Sequence, residues 1–208
     1  MNRCAMLRKI KTPLALSATL ALSLAVAGCD GPPKTPLDQA PLAGAAIGGP
    51  FTLTDQNGKQ RQWSDFRGKF TTVYFGYTFC PDVCPIDTQR TAQGIALFRK
   101  NHPDLADRVQ QVFITVDPTR DTPEKVGQFA SAFGKDIIGL TGSPAEIEKA
   151  AKEFKVFYEK GKDEGDGAYL VNHSNVTYLF GPEGQPVATL PTDLGAEDIA
   201  KELARWVR

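Results

Sequence analysis

Phe70-Thr71-Thr72-Val73-Tyr74-Phe75-Gly76-Tyr77 is an unbroken apolar, aromatic and β-branched run that ends just short of Cys80-Pro81-Asp82-Val83-Cys84-Pro85. Continuity without polar alternation predicts a strand covered on both faces, as in the middle of an α/β sheet. Val109 to Val116 (VQQVFITV) is a second run of the same kind. Between the two, Ile86 to Lys100 sets Ala92, Ile95, Ala96 and Phe98 among polar residues, a helix that Asn101-His102-Pro103 ends.

Working outward, Phe51 to Thr54, the turn Asp55-Gln56-Asn57-Gly58-Lys59 and Arg61 to Trp63 read as a β-hairpin built on Asn-Gly. Downstream, Pro123 to Phe133 reads as a helix with Thr122 as N-cap and proline at the first position. Ser143-Pro144-Ala145-Glu146 is a capping box that starts a helix running through Phe154. Val176 to Phe180, the turn Gly181 to Gly184 and Pro186 to Leu190 form a second hairpin, and Ala196 to Val207 is a final amphipathic helix. The order is β-hairpin, βαβαβα, β-hairpin, α, so the class is α/β.

The chain opens with Arg3, Arg8, Lys9 and Lys11, continues through the small apolar stretch Leu14 to Val26 and reaches Val26-Ala27-Gly28-Cys29. This pattern predicts an export signal over residues 1–28. At 13 residues the apolar stretch is shorter than the about 20 that span a bilayer. Its last four residues resemble a bacterial lipobox, which implies lipid attachment at Cys29. Localisation at the inner membrane, with the domain facing the periplasm, follows from Asp30 by the same resemblance. Residues 29–50, rich in proline and glycine, read as anchor and linker, and 51–208 as one domain large enough for its own core. Loss of the four N-terminal cations leaves 20 basic against 24 acidic side chains, a poor balance for nucleic-acid binding.

With Cys4 in the signal and Cys29 lipidated, Cys80 and Cys84 are the free thiols of the exported domain. They pair with each other, bind metal or stay reactive. A five-residue disulfide loop would stabilise little, since the entropic gain grows with loop length. Their place after a strand and near a helix N-terminus favours thiolate and puts them where α/β sheets bind ligands. His173, just ahead of a predicted strand, is the histidine available to join them, because His102 is accounted for by its helix end. Two thiolates and an imidazole are a soft donor set that suits Cu(I) and also holds Cu(II). Asp117, closing the second buried run before Pro118, is either a turn former or a supporting acid. Lys160 to Gly167 is a polar loop ahead of His173.

Gly76 to Pro85, Val116-Asp117-Pro118-Thr119-Arg120-Asp121-Thr122-Pro123 and the single His173, in that order over about residues 45 to 208, together resemble the Sco/SenC family. The resemblance implies a thioredoxin-like fold with a mixed central sheet flanked by helices. It further implies copper ligation by Cys80, Cys84 and His173 with Asp117 in support, and a role in assembling the CuA centre of cytochrome c oxidase subunit II. Some members carry an aspartate directly before the histidine, where this chain has Asn172.

Three functions compete. A copper metallochaperone would pass the ion to subunit II or another copper enzyme by ligand exchange, supplied by an upstream copper donor, with no covalent catalysis. A thiol-disulfide oxidoreductase would use Cys80 and Cys84 to reduce partner cysteines, drawing on a thiol reductant. A peroxiredoxin-like peroxidase shares the hairpin and α/β order, with Thr78 two residues before Cys80 as its trace.

Overall fold

In the computed structural model, which describes residues 36–162, 165 and 168–208, the Phe70 run is a strand buried at all seven positions. This strand, β3 (Phe70–Gly76), is one of nine among the described residues. The others are β1 (Thr52–Asp55), β2 (Gln60–Gln62), β4 (Val109–Thr115), β5 (Ile138–Thr141), β6 (Tyr158–Lys160), β7 (Val171–His173), β8 (Thr177–Phe180) and β9 (Pro186–Leu190). The helices are α1 (Val83–Asn101), α2 (Pro123–Phe133), α3 (Pro144–Glu153) and α4 (Ala196–Trp206). Seven strands form one sheet in the order β2-β1-β5-β4-β3-β8-β9, and β6 and β7 form a separate ribbon. The thioredoxin-like α/β architecture is present, with β3, β4 and β5 parallel and the flanking strands antiparallel.

Local chemistry explains the elements. At the first hairpin Gly58 takes φ 76°, which the Asn-Gly turn requires, and the Asp55 carboxylate accepts from the Asn57 and Lys59 amides at 2.9 and 3.0 Å. Thr122 caps α2 by accepting from the Lys125 amide, and Ser143 with Glu146 closes the expected capping box on α3. Helix α1 starts three residues earlier than expected, at Val83, so Cys84 and Pro85 lie inside its first turn. Proline is tolerated there because the first four helix amides have no intrahelical acceptor to lose.

Two groups of side chains fill the core. Val126, Ala130, Ile147, Ala150 and Phe154 from the α2 and α3 regions join β3, β4 and β5 in one. Ile95 and Phe98 of α1 pack with Ile199, Leu203 and Trp206 of α4 and with β9 in the other. Gly94 lets α1 and α4 approach closely: a Cβ there would meet Ile199 Cγ2 at 2.5 Å and Cβ at 2.7 Å.

The stretch expected as a linker, 29–50, instead packs on the domain over its later part. Ala40 is buried, the Leu42 amide donates to the Val187 carbonyl at 3.0 Å and the Gly48 amide to the Glu153 carbonyl at 2.9 Å. Leu37, Leu42 and Ile47, scattered among the prolines and glycines, dock against the two cores. The export signal and the lipid attachment at Cys29 lie outside the described residues. Among the described residues no helix is long and apolar enough to cross a membrane.

Gly94→Ala should cost about 1–3 kcal/mol through overpacking against Ile199, despite alanine's better helix propensity. Urea denaturation monitored by circular dichroism measures this, and an unchanged midpoint would show that the two helices give way freely.

Candidate metal centre

Register places the site. β3 and β4 run parallel with Gly76 opposite Thr115, so the loops that follow them leave the same edge of the sheet. The Val116 amide donates to the Gly76 carbonyl at 2.7 Å and holds those loops side by side. β8 runs antiparallel to β3 with Thr177 opposite Tyr74, so its start lies beside the end of β3. His173 ends β7 shortly before β8 begins, and the chain therefore delivers it to the edge that carries Cys80 and Cys84. Ligands bind at this edge in α/β sheets because strand ends and helix N-termini converge on it.

Three donors meet there. One ligand atom each from Cys80, Cys84 and His173 lies within 4.8 Å of the other two. Cys84 Sγ is 3.2 Å from His173 Nε2. Cys80 Sγ accepts from the Cys84 amide at 3.4 Å and so takes the place of a capping oxygen at the start of α1, where Asp82 makes no side-chain cap. His173 Nδ1 lies 3.0 Å from the Ser174 carbonyl oxygen, which can only accept, so Nδ1 carries the proton and neutral Nε2 keeps its lone pair for the sulfur side. Ser174 is itself tied to Phe157: its amide donates to the Phe157 carbonyl and its hydroxyl accepts from the Phe157 amide. Tyr74 and Tyr77 stand edge-on to the imidazole with centroids 6.0 and 5.9 Å away.

Burial sets the electrostatics. Cys84 is fully buried, and desolvation pushes its thiol well above the ordinary range, reinforced by the hydrogen bond and charge of Cys80. The expectation that the helix N-terminus favours thiolate at both cysteines is therefore corrected at Cys84, where desolvation outweighs the helix amides. Burial also lowers His173, against the Ser174 hydrogen bond and the Asp87 charge, so the imidazole is neutral at pH 7. Gly76 makes room for this packing: a Cβ there would meet Tyr74 Cε1 at 2.8 Å and Cys84 Sγ at 3.1 Å.

Asp117 is buried and outside the three-donor group. Its Oδ1 accepts from the Tyr169 hydroxyl at 2.7 Å and its Oδ2 from Arg120 Nε. The Arg120 guanidinium carbon lies 3.6 Å from the Tyr169 ring centroid and 4.8 Å from that of Phe79, so one cation bridges the segment before β7 and the loop before Cys80. Asn172 is exposed and lies opposite Glu159, and the alternation of strand side chains turns it away from His173's face. His102 packs on Phe98 at the end of α1 and takes no part in the donor group.

Sequence reasoning passed over Asp121 as loop. Its fully buried carboxylate accepts from the Thr78 amide at 2.9 Å, the Thr78 hydroxyl at 2.6 Å and the Thr115 hydroxyl at 2.6 Å. In the chain it stood only as one residue of the Val116 to Pro123 stretch, with no role of its own. The β6–β7 ribbon was also missed, because strands of three residues around a polar loop leave little periodicity to read.

Asp121→Asn should cost about 1–3 kcal/mol, since an amide cannot accept from all three donors and leaves a buried hydroxyl facing an NH2 group. Hydrogen exchange at the Thr78 amide should accelerate more than the global loss of stability explains. Exchange tracking only global unfolding would mean that Asp121 does not hold this loop.

With the geometry in place, comparison with known proteins is informative. The SCO1/SenC family profile matches residues 39–208. "Protein SCO1 homolog 1, mitochondrial" of Arabidopsis thaliana is 44% identical over 146 residues, which cover 70% of this chain and 42% of that protein. The chain spans between 42% and 65% of the length of the first five curated relatives it matches. The structure of Bradyrhizobium japonicum ScoI with copper bound superimposes with a TM-score of 0.71 at 39% identity, over 78% of this chain and 100% of that one. A SCO1/SenC family lipoprotein from Bacillus anthracis aligns with a TM-score of 0.60 at 28% identity, over 76% and 94% of the two chains. By the extent of the profile match and by these relatives, the chain belongs to the SCO1/SenC family.

Proposed function

We propose that the protein is a copper metallochaperone that holds copper through Cys80, Cys84 and His173 and assists assembly of the CuA centre of cytochrome c oxidase. The observation that carries this reading is the meeting of two sulfurs and a lone-pair-bearing Nε2 within 4.8 Å at one sheet edge. A thiolate-imidazole set suits Cu(I) by softness, and the copper-bound Bradyrhizobium relative supports the choice of metal. Three donors leave one side open to an incoming sulfur or imidazole, so copper can leave by ligand exchange with no covalent step. Asp117 supports the site at one remove, by fixing Tyr169 and Arg120. Lipid attachment at Cys29 after removal of residues 1–28, with the domain on the periplasmic side of the inner membrane, completes the reading. The Bacillus lipoprotein relative supports this anchor.

A second reading rests on the asymmetry of the thiols. Cys80 is half-exposed with an amide hydrogen bond to its sulfur, whereas Cys84 is buried behind it. Cys80 thiolate would attack a partner disulfide and release one partner thiolate. Cys84 would then lose its proton and displace the second, leaving Cys80 and Cys84 oxidised and the partner reduced until an external thiol reductant resets the pair.

Anaerobic Cu(I) titration of the reduced domain against a competing chelator is expected to give one copper per chain, lost in Cys80→Ser or Cys84→Ser and weakened in His173→Ala. Binding indifferent to His173 would shift the reading to thiol exchange, whose rate His173→Ala should largely spare. Because burial raises the Cys84 thiol above its ordinary pKa, loading at neutral pH must displace its proton. Apparent Cu(I) affinity should therefore rise about tenfold per pH unit from pH 6 to pH 8 for that proton. A flat profile would exclude Cys84 as a ligand that enters protonated.

A further inference from the structure

Among the described residues five side chains bury a nitrogen or oxygen that has no hydrogen-bond partner: Tyr74, Thr88, Thr91, Arg120 and Thr177. A buried unpaired polar atom is costly, so each calls for a physical reason. The Tyr74 hydroxyl is set against the donor group. Its ring, only 3% exposed, stands edge-on to His173 and stacks on Phe113 with centroids 6.4 Å apart, which fixes where the hydroxyl sits. Gly76 leaves ring and sulfur in one space, since a Cβ there would press on both Tyr74 Cε1 and Cys84 Sγ. Burial raises the Cys84 thiol and the Asp87 carboxyl, and the nearby phenol opposes the rise at both.

The phenol is close enough to both groups to influence them, yet it makes a well-formed bond to neither, and the acceptors explain why. A neutral thiol is a weak acceptor, and the Asp87 carboxyl is already engaged by the Thr192 side chain and faces the charge of Arg90. Burial also raises the phenol itself, so it keeps its proton at neutral pH. Copper entering the site displaces the Cys84 proton to solvent and leaves the sulfur as a charged acceptor, toward which a hydroxyl rotor needs only to turn. We infer that Tyr74 is a positioning residue of the metal centre, whose hydroxyl donates a hydrogen bond to the Cys84 sulfur when that sulfur binds the ion. The inference rests on the copper reading for the identity of the ion, but not for the thiolate. A hydrogen bond that draws charge from the sulfur weakens its donation to Cu(II) more than to Cu(I), so Tyr74 biases the site toward Cu(I).

The test is Tyr74→Phe, which removes the hydroxyl and keeps the ring. In the metal-free protein its urea midpoint should be unchanged or higher, because the group lost was buried and unpaired. With Cu(II) bound, the sulfur-to-copper charge-transfer band should move to lower energy. The ratio of Cu(I) to Cu(II) affinity, read by chelator competition for each ion, should fall about tenfold. A band and a ratio equal to those of the wild type overturn the hydrogen bond. A lower midpoint in the metal-free variant overturns it as well, by showing that the hydroxyl is already bonded before any metal arrives. Mercuric ion, which a pair of thiolates holds whatever the third donor, separates this inference from the copper reading. If the wild type takes up no copper yet the sulfur-to-mercury band shifts in Tyr74→Phe, the copper reading fails and the hydrogen bond stands; if that band too is unmoved, both fail.

Discussion

The buried Asp121 carboxylate is the constraint on which the rest of the site depends. Three donors from the ends of β3 and β4 converge on it, while its carbonyl accepts from the Thr141 hydroxyl of β5 at 2.7 Å. A carboxylate with no exposure is tolerable only with several hydrogen bonds, and each bond here ties down a loop that would otherwise move independently. Thr78 is thereby held, and Cys80 follows two residues later. Asp117, four residues earlier in the same loop, reaches the other side of the site through Tyr169 and Arg120. One short loop after β4 thus joins the cysteine segment to the histidine segment.

This arrangement gives the two cysteines different chemistry although four positions separate them. Cys80, in the turn, is accessible and accepts a helix amide; Cys84, inside α1, is desolvated and favours the protonated thiol. His173 enters with its proton already assigned to Nδ1, so no tautomer change is needed before Nε2 acts. Under the proposed function, a donor set already in place but protonated at Cys84 would couple copper loading to proton release, with the more exposed Cys80 sulfur as the first point of exchange.

Membership of the SCO1/SenC family rests on residues 39–208, the folded domain with its N-terminal strap. That strap is part of the domain's own architecture: Leu42 and Gly48 hydrogen-bond to β9 and the end of α3 respectively. Composition alone disguised it, since proline and glycine counts say nothing about three apolar residues with a groove to fill.

Much of the fold was legible in the chain. Short continuous apolar runs rich in β-branched and aromatic residues mark interior strands of a two-sided sheet, and the caps at Thr122 and Ser143 mark helix starts through local hydrogen bonds that need no tertiary partner. Cys80, Cys84 and His173 were visible as candidates because they exhaust the soft donors of the domain apart from His102. What the sequence by itself determined was therefore whatever depends on neighbours along the chain: periodicity, capping, turn chemistry and the inventory of donors. The tertiary structure alone decided that His173 meets Cys84, because that depends on antiparallel pairing of β8 with β3 across a long separation. It also decided that Asp121 rather than Asp117 anchors the cysteine loop, and that burial reverses the helix effect at Cys84. Burial and long-range register arise only when distant segments pack, and no local pattern records them.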